Sequence, residues 1–352
     1  MAVPGFGHMV KANVFLEATG AYGTRVTTGG SAIEVNAQGI NIDQGVVASK
    51  ALYAGLSARA LYQMGVKWAG RISGEVRYEG LGKLIAAAFG ATPTTTGSST
   101  LGYTHTHKVA KTAQGGMQSL CMELDEGGIY AAGGDCTLIS GIVIPRFKIS
   151  TTAGNGEDGI VMWEADVWAK DKTPATGASF TAVGVAAFTE PAFYHQGLDT
   201  DLKDGTATTP GTQQVTKISV EIVNPLAERY FIAQTGQGKN MAQPLRNARP
   251  DIFWELTQEF VDFSQFNAAK NFADGELKVS FVSPTDIPST SPTKKYKITL
   301  NTTKAKCLTY TNDTNEWGIV EANSRWQAYD DTNGPLVATL LNSKATAATA
   351  GA

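Results

Sequence analysis

Trp68-Ala69-Gly70-Arg71-Ile72-Ser73-Gly74-Glu75-Val76-Arg77-Tyr78-Glu79-Gly80-Leu81-Gly82-Lys83-Leu84-Ile85-Ala86-Ala87-Ala88-Phe89-Gly90 changes its hydrophobic period partway along. From Arg71 to Glu79, Ile72, Val76 and Tyr78 alternate with Arg71, Ser73, Glu75, Arg77 and Glu79. That alternation predicts a strand with one buried and one polar face. From Leu81 onward, Leu84, Ile85 and Ala88 share one face of a helix, and Gly90 is placed to end it.

The strand half of this pattern recurs through the chain. Val161, Trp163, Ala165 and Val167 oppose Glu164, Asp166 and Lys170, and Ile218, Val220 and Ile222 oppose Lys217, Ser219 and Glu221. Leu277, Val279 and Phe281 alternate with Lys278 and Ser280, and Tyr296, Ile298 and Leu300 with Lys295, Lys297 and Thr299. Repeated one-sided burial predicts a mainly β, antiparallel architecture. The strand–helix unit itself returns once: Trp254–Phe263 precedes Gln265–Ala273, where Phe266, Ala269 and Ala273 form the expected apolar face before Gly275. The offset is about 184 residues, roughly half the chain, which reads as an internal duplication.

With 352 residues, 42% hydrophobic and 17% charged, the chain can bury a core and is long enough for two domains. The expected division is an extended N-terminal arm at 1–34, a first domain at 35–172, a connector at 173–214, a second domain at 215–342 and a flexible tail at 343–352. Ala91–Gly102 and Ser283–Thr293 read as loops, the first rich in Thr and Ser, the second carrying three prolines. A net charge of −3 is unlike the basic footprint of a protein that grips nucleic acid. It remains compatible with a conduit through which phosphates slide. Cys121, Cys136 and Cys307 are odd in number and unpaired in spacing, so neither a disulfide scaffold nor a zinc site is expected. The start lacks the pattern of a secretory leader, and Leu84–Ala88 and Ile142–Ile144 are too short to span a bilayer. The chain is expected to be made and used without a secretory route or a membrane.

Trp68–Leu84 resembles the strand-then-helix segment of siphophage tail tube proteins. Thr104-His105-Thr106-His107, Cys136–Ser150, Met162–Asp171, Lys217–Leu226 and Pro250–Gly275 extend the likeness over about residues 35 to 341. The resemblance implies two tandem β-sandwich or barrel tube domains, each flanked by one short helix, whose inner sheets merge around a channel. In relatives the ring is sixfold, so two fused domains imply three chains per ring. Implied partners are further copies of the chain, tape-measure and tail terminator or tip proteins, and double-stranded DNA as a passenger. The implied location is the virion tail tube, after synthesis in the host cytoplasm. Type VI secretion tubes share the fold and give the neighbouring reading. A monomeric β-sandwich that binds glycans through exposed Tyr and Trp is the alternative of a different class.

Chemistry-bearing groups are sparse. His105 and His107 share a strand face at a spacing that could hold a metal, but no third ligand stands nearby, and an ordinary polar strand is the expectation. Gly236-Gln237-Gly238-Lys239 lacks the Gly and Ser/Thr of a phosphate loop, since Ala233 and Asn240 hold those positions. Asp199-Thr200-Asp201-Leu202-Lys203-Asp204-Gly205 has a displaced third acid for calcium and no closing Glu. Asp330-Asp331-Thr332-Asn333-Gly334 reads as a hairpin turn. No catalytic set, cofactor or metal is expected. Glu75, Glu79, Glu164, Asp166 and Glu259 are the expected lumen-lining carboxylates. Lys239, Arg246, Arg249 and Trp168 are the expected contacts between subunits, and Trp163, Trp254 and Trp326 the expected core.

Overall fold

The structure, a computed structural model, describes residues 11–18, 20–33, 35–48, 61–110, 117–125, 136–154, 159–175, 192–194, 202–206, 214–231, 240–288, 290–313, 320–329 and 334–345. The chain begins with β1 (Lys11–Leu16), β2 (Ser31–Ile33), β3 (Ala37–Gln38), β4 (Asn41–Ala48) and β5 (Leu61–Glu75). Helix α1 (Gly82–Phe89) follows, then β6 (Thr94–Ser98), β7 (Gly102–Lys108), β8 (Leu120–Asp125), β9 (Cys136–Thr152), β10 (Met162–Ala169) and β11 (Asp171–Ala175). Next come β12 (Lys203–Asp204), β13 (Val215–Val223), β14 (Leu226–Arg229), β15 (Ala242–Arg246), β16 (Asp251–Glu259) and α2 (Ser264–Lys270). The chain closes with β17 (Asp274–Asp286), β18 (Lys295–Asp313), β19 (Glu321–Ala328) and β20 (Val337–Asn342).

One antiparallel sheet runs through both halves in the order β4-β5-β10-β9-β13-β16-β19-β18. It consists of two quartets of the same layout. The β4/β5 hairpin corresponds to β13/β16, β10 to β19, and β9 to β18. Strands β8 and β11 flank β9 as β17 and β20 flank β18. The duplication seen in the strand–helix spacing is therefore a duplication of topology. The quartets meet where β9 pairs with β13, in register from Lys217 opposite Thr152 to Val223 opposite Arg146.

All five alternating segments bury their apolar side: Ile72, Val76 and Tyr78; Val161 to Val167; Ile218 to Ile222; Leu277 to Phe281; and Tyr296 to Leu300. Trp163, Trp254 and Trp326 are fully buried. Each such ring removes about 150–250 Å² from water, so these side chains dominate the local core. The ladder of β5 stops at Glu75; Val76 leaves it to bond Val161 and Phe193, which fixes the turn into α1. Gly90 ends α1 with φ 72°, where a Cβ would meet Met117 and Arg246.

Several segments differ from expectation, and the loop expected at Ser283–Thr293 starts only after β17 ends at Asp286. Within the stretch expected as an arm, Lys11–Leu16 is a strand between β2 and β8, with Ala12, Val14, Phe15 and Leu16 all buried. A strand covered on both faces carries no alternation, so periodicity passes it over. Ala91–Gly102 contains β6, paired with β7 from Thr94 opposite Thr106, because β-branched Thr suits a half-exposed strand as well as a loop. In the connector, Phe193 packs on Tyr78 with ring centroids 4.7 Å apart, and Lys203–Asp204 pairs with β17. Helix α2 turns Gln265 inward and leaves Phe266 exposed, contrary to the expected Phe266, Ala269 and Ala273 face, although Ala268 and Ala269 do pack on the core. Its chain reversal falls on Phe272, with φ 49°, rather than on Gly275.

Candidate functional site

The polar face of the long sheet is a field of cross-strand ion pairs. Arg71 on β5 reaches Asp166 at 2.9 Å and Glu164 at 3.4 Å on β10. From β9, Arg146 meets Glu164 at 2.6 Å and Asp166 at 3.7 Å, and its Nε donates to Glu221 on β13. Arg146 therefore stitches the joint between the quartets. Burial works against its charge, and the hydrogen bonds it donates to Glu221 and Glu164 more than offset this, so its pKa is raised. In the second quartet the equivalent cross-strand pair is reversed in sign: Glu255 on β16 lies opposite Arg325 on β19, at 3.7 Å. Reversing both charges keeps the pair attractive.

Of the expected lumen carboxylates, Glu75, Glu164, Asp166 and Glu259 lie on this one polar face, by strand parity with Arg71 and Glu255. They do not form a bare negative wall, because arginines stand among them. Glu79 is the exception. Its side chain is 6% exposed, accepts from Ser343 N and Ser343 Oγ, and pairs with Lys344 at 3.1 Å. It anchors residues 343 and 344, which were expected to belong to a flexible tail.

The expected inter-subunit residues divide. Arg246 is buried and bonded inside its own chain: Nη1 donates to Ala110 O at 3.0 Å and Nη2 to Asn224 Oδ1 at 2.6 Å. Burial lowers its pKa to about 10. Asn224 in turn donates to Ala88 O and Ile144 O, both at 2.9 Å, satisfying an orphan carbonyl at the end of α1. Arg246 is thus a joint between the two halves rather than a surface contact. Nothing in its local sequence marks it, because burial of a cation at a strand end is decided by distant partners. Trp168 is half-buried with Lys67 Nζ 4.6 Å above its ring, and Arg249 is exposed. Lys239 lies outside the described residues, as do the rest of Gly236–Lys239, residues 199–201 of the Asp199–Gly205 segment and residues 330–333 of Asp330–Gly334.

His105 and His107 share a face that turns into the core, not the polar face expected. His105 Nε2 donates to Asn342 Oδ1 and Lys344 O, so Nδ1 accepts from Thr95. Among the described residues, no partner hydrogen-bonds either ring nitrogen of His107, and burial pushes its pKa down to about 3. Lys83 in α1 is likewise buried with no hydrogen-bond partner among the described residues, its pKa lowered to about 8 by burial. All three cysteines are buried, and none forms a disulfide among the described residues. Among the described residues no group of three His, Cys, Asp or Glu is placed to hold a metal ion, and no helix is long and apolar enough to cross a membrane.

Among the described strands, the eight-strand run is open at both of its ends. Strand β4 pairs with β5 on one side and with no described strand on the other. Every residue of β4 is exposed, including Ile42, Val46 and Val47, and across the hairpin so are Leu61, Tyr62 and Met64. At the opposite end, β17 accompanies β18 only as far as Lys306, so beyond it β18 is paired by β19 alone among the described strands. Open edges of this kind attract further strands.

The model of the phage tail tube protein family matches residues 10–314, most of the chain, and the chain belongs to that family. The match takes in β1. No individual curated protein matches the chain. The family is structural, not enzymatic, and its members are components of the virion tail.

Proposed function

We propose that this tail tube protein polymerises by repeating, between copies, the strand joint that its two halves make within one chain. The single observation carrying this reading is the β9–β13 joint, together with open borders at the two places where the repeat would continue. Cross-strand partners supply the register. Asp166 lies between Arg71 and Arg146, and Arg325 lies between Glu255 and Thr309, so Thr309 holds the place of Arg146. Gly39 N donates to Arg71 O, as Ser219 stands opposite Glu255, so Gly39 holds the place of Ser219. Since Ser219 is opposite Ser150 and Val223 opposite Arg146, the joint between copies sets Asp313 opposite Gly39, Thr311 opposite Asn41 and Thr309 opposite Asp43.

Residues 35–172 and 215–342 act as the two tube domains, linked by 173–214. Three chains then close a pseudo-sixfold ring, and rings stack into the tube. The face bearing Glu75, Glu164, Asp166 and Glu259 lines the channel. Its carboxylates outnumber the arginines among them, so the wall stays hydrated and repels phosphates, with Arg71 and Arg146 softening that field. Tape-measure protein and then DNA occupy the channel in turn, and terminator and tip proteins close its ends.

The native cysteines are buried, which leaves exposed positions free for cross-linking. The double variant Asn41→Cys/Thr311→Cys, assembled and oxidised, is expected to give covalent products ending at three chains. Assembled particles that yield only single chains would contradict the joint.

A further inference from the structure

Resting on the ring reading above, we infer that the β4/β5 hairpin of one copy covers the exposed aromatic surface around α2 of its neighbour in the same ring. Helix α1 is wholly buried, whereas its duplicate α2 buries only Gln265. Around α2, Val261, Phe263 (61% exposed), Phe266, Phe272 (57%) and Leu308 stand in solvent. Phe263 stacks edge-on against Phe266, and Phe266 against Tyr310, at 6.1 and 5.9 Å. A contiguous aromatic surface of this kind marks an interface. Phe272 adds a backbone signal: it is a bulky residue at φ 49°, pinned by Lys306, which donates to its carbonyl and lies 4.9 Å from its ring.

The chain itself contains the template for what covers such a helix. Strands β14 and β15 extend the β13/β16 hairpin, and this extension closes over the first half. Arg246 and Asn224 seal the end of α1, and Gln243 donates to Met117 O at 2.9 Å. The extension also leans on the preceding hairpin: Glu228 pairs with Lys67, Met241 N donates to Val66 O, and the Tyr230 ring lies so close to Gly65 that a Cβ there would collide. One unit further round the ring, the element in this position is the β4/β5 hairpin of the next copy.

The correspondence reaches single residues. Arg246 precedes Asp251 as Tyr62 precedes Lys67, and Gly90 ends α1 as Phe272 ends α2, both at positive φ. In the template a Cβ on Gly90 would sit 3.2 Å from Arg246 Nη2, so Tyr62 of the neighbour is set against Phe272. Tyr62 is 56% exposed in the single chain, and Ile42, Val46 and Val47 beside it are exposed too. Where the internal contact is a buried cation with its polar partners, the external one is apolar on both sides. The contact also continues directly from the β18 edge, since Leu308 adjoins Thr309.

The test is cross-linking of assembled full-length protein carrying Tyr62→Cys/Phe272→Cys, with Tyr62→Cys/Phe266→Cys as a second pair should position 272 not tolerate Cys. A short bis-maleimide is expected to give products ending at three chains, with each single variant remaining one chain. If both pairs stay single while Asn41→Cys/Thr311→Cys cross-links, this inference fails and the ring reading stands. Products running past three chains place the hairpin on an adjacent ring and overturn it as well. Failure of all three pairs in assembled material would overturn both.

Discussion

Asn224 joins the halves with one amide, donating to Ala88 O and Ile144 O and accepting from Arg246. Asn224→Ala leaves two buried carbonyls and a buried guanidinium short of partners, and is expected to destabilise the chain by about 3 kcal/mol, read from the urea midpoint. His107 gives the chain a specific acid sensitivity. Its ordinary pKa is 6.5 and its folded value about 3. Between these limits the unfolded chain binds a proton that the folded chain refuses. Stability from this group is therefore intact above pH 6.5 and falls as the pH drops through the window, by about 1.4 kcal/mol per unit. His107→Leu should flatten the stability–pH profile by that amount relative to wild type; an unchanged slope would refute the assignment. These two residues also show how far sequence reading reaches. Ile72, Trp163 and Val220 announce their burial by alternation, because burial on a strand repeats every second residue. Asn224 and Arg246 are polar residues whose burial is decided by partners more than a hundred residues away, and His107 is a polar residue on the buried face of its strand; no local pattern carries either.

Helices α1 and α2 occupy equivalent places and meet different fates. Every residue of α1 is buried, so Ala87→Glu places an unpaired carboxylate in the core and is expected to prevent folding, with loss of the near-UV circular dichroism signal. Phe266 on α2 is exposed, so Phe266→Glu should leave the monomer's melting temperature within a few degrees while suppressing assembly in light scattering. The existence of both helices was legible in the sequence, and for α1 the apolar face and the closing Gly90 were too. The orientation of α2 was not, because an amphipathic pattern records that a face will be covered without recording by which molecule. Strand β4 likewise carries apolar Ile42, Val46 and Val47 that stand exposed in the single chain.

At the scale of the molecule, the long sheet is a segment with two unequal ends, and its internal joint shows how one end fits the other. The duplication was visible as an offset between two strand–helix units. The register of the joint was not, because it depends on which residues face one another across strands more than sixty positions apart. The polar face illustrates the same limit: parity placed Glu75, Glu164, Asp166 and Glu259 together, but Arg146 entered their midst only through strand pairing. The most direct measurement is a cryo-electron microscopic reconstruction of the assembled protein. It should show three chains per ring, with the twenty-four strands of three eight-strand segments closed into one wall and Asp313 of each copy opposite Gly39 of the next. Rings of six chains, or β18 and β4 left without a neighbouring strand, would contradict the account.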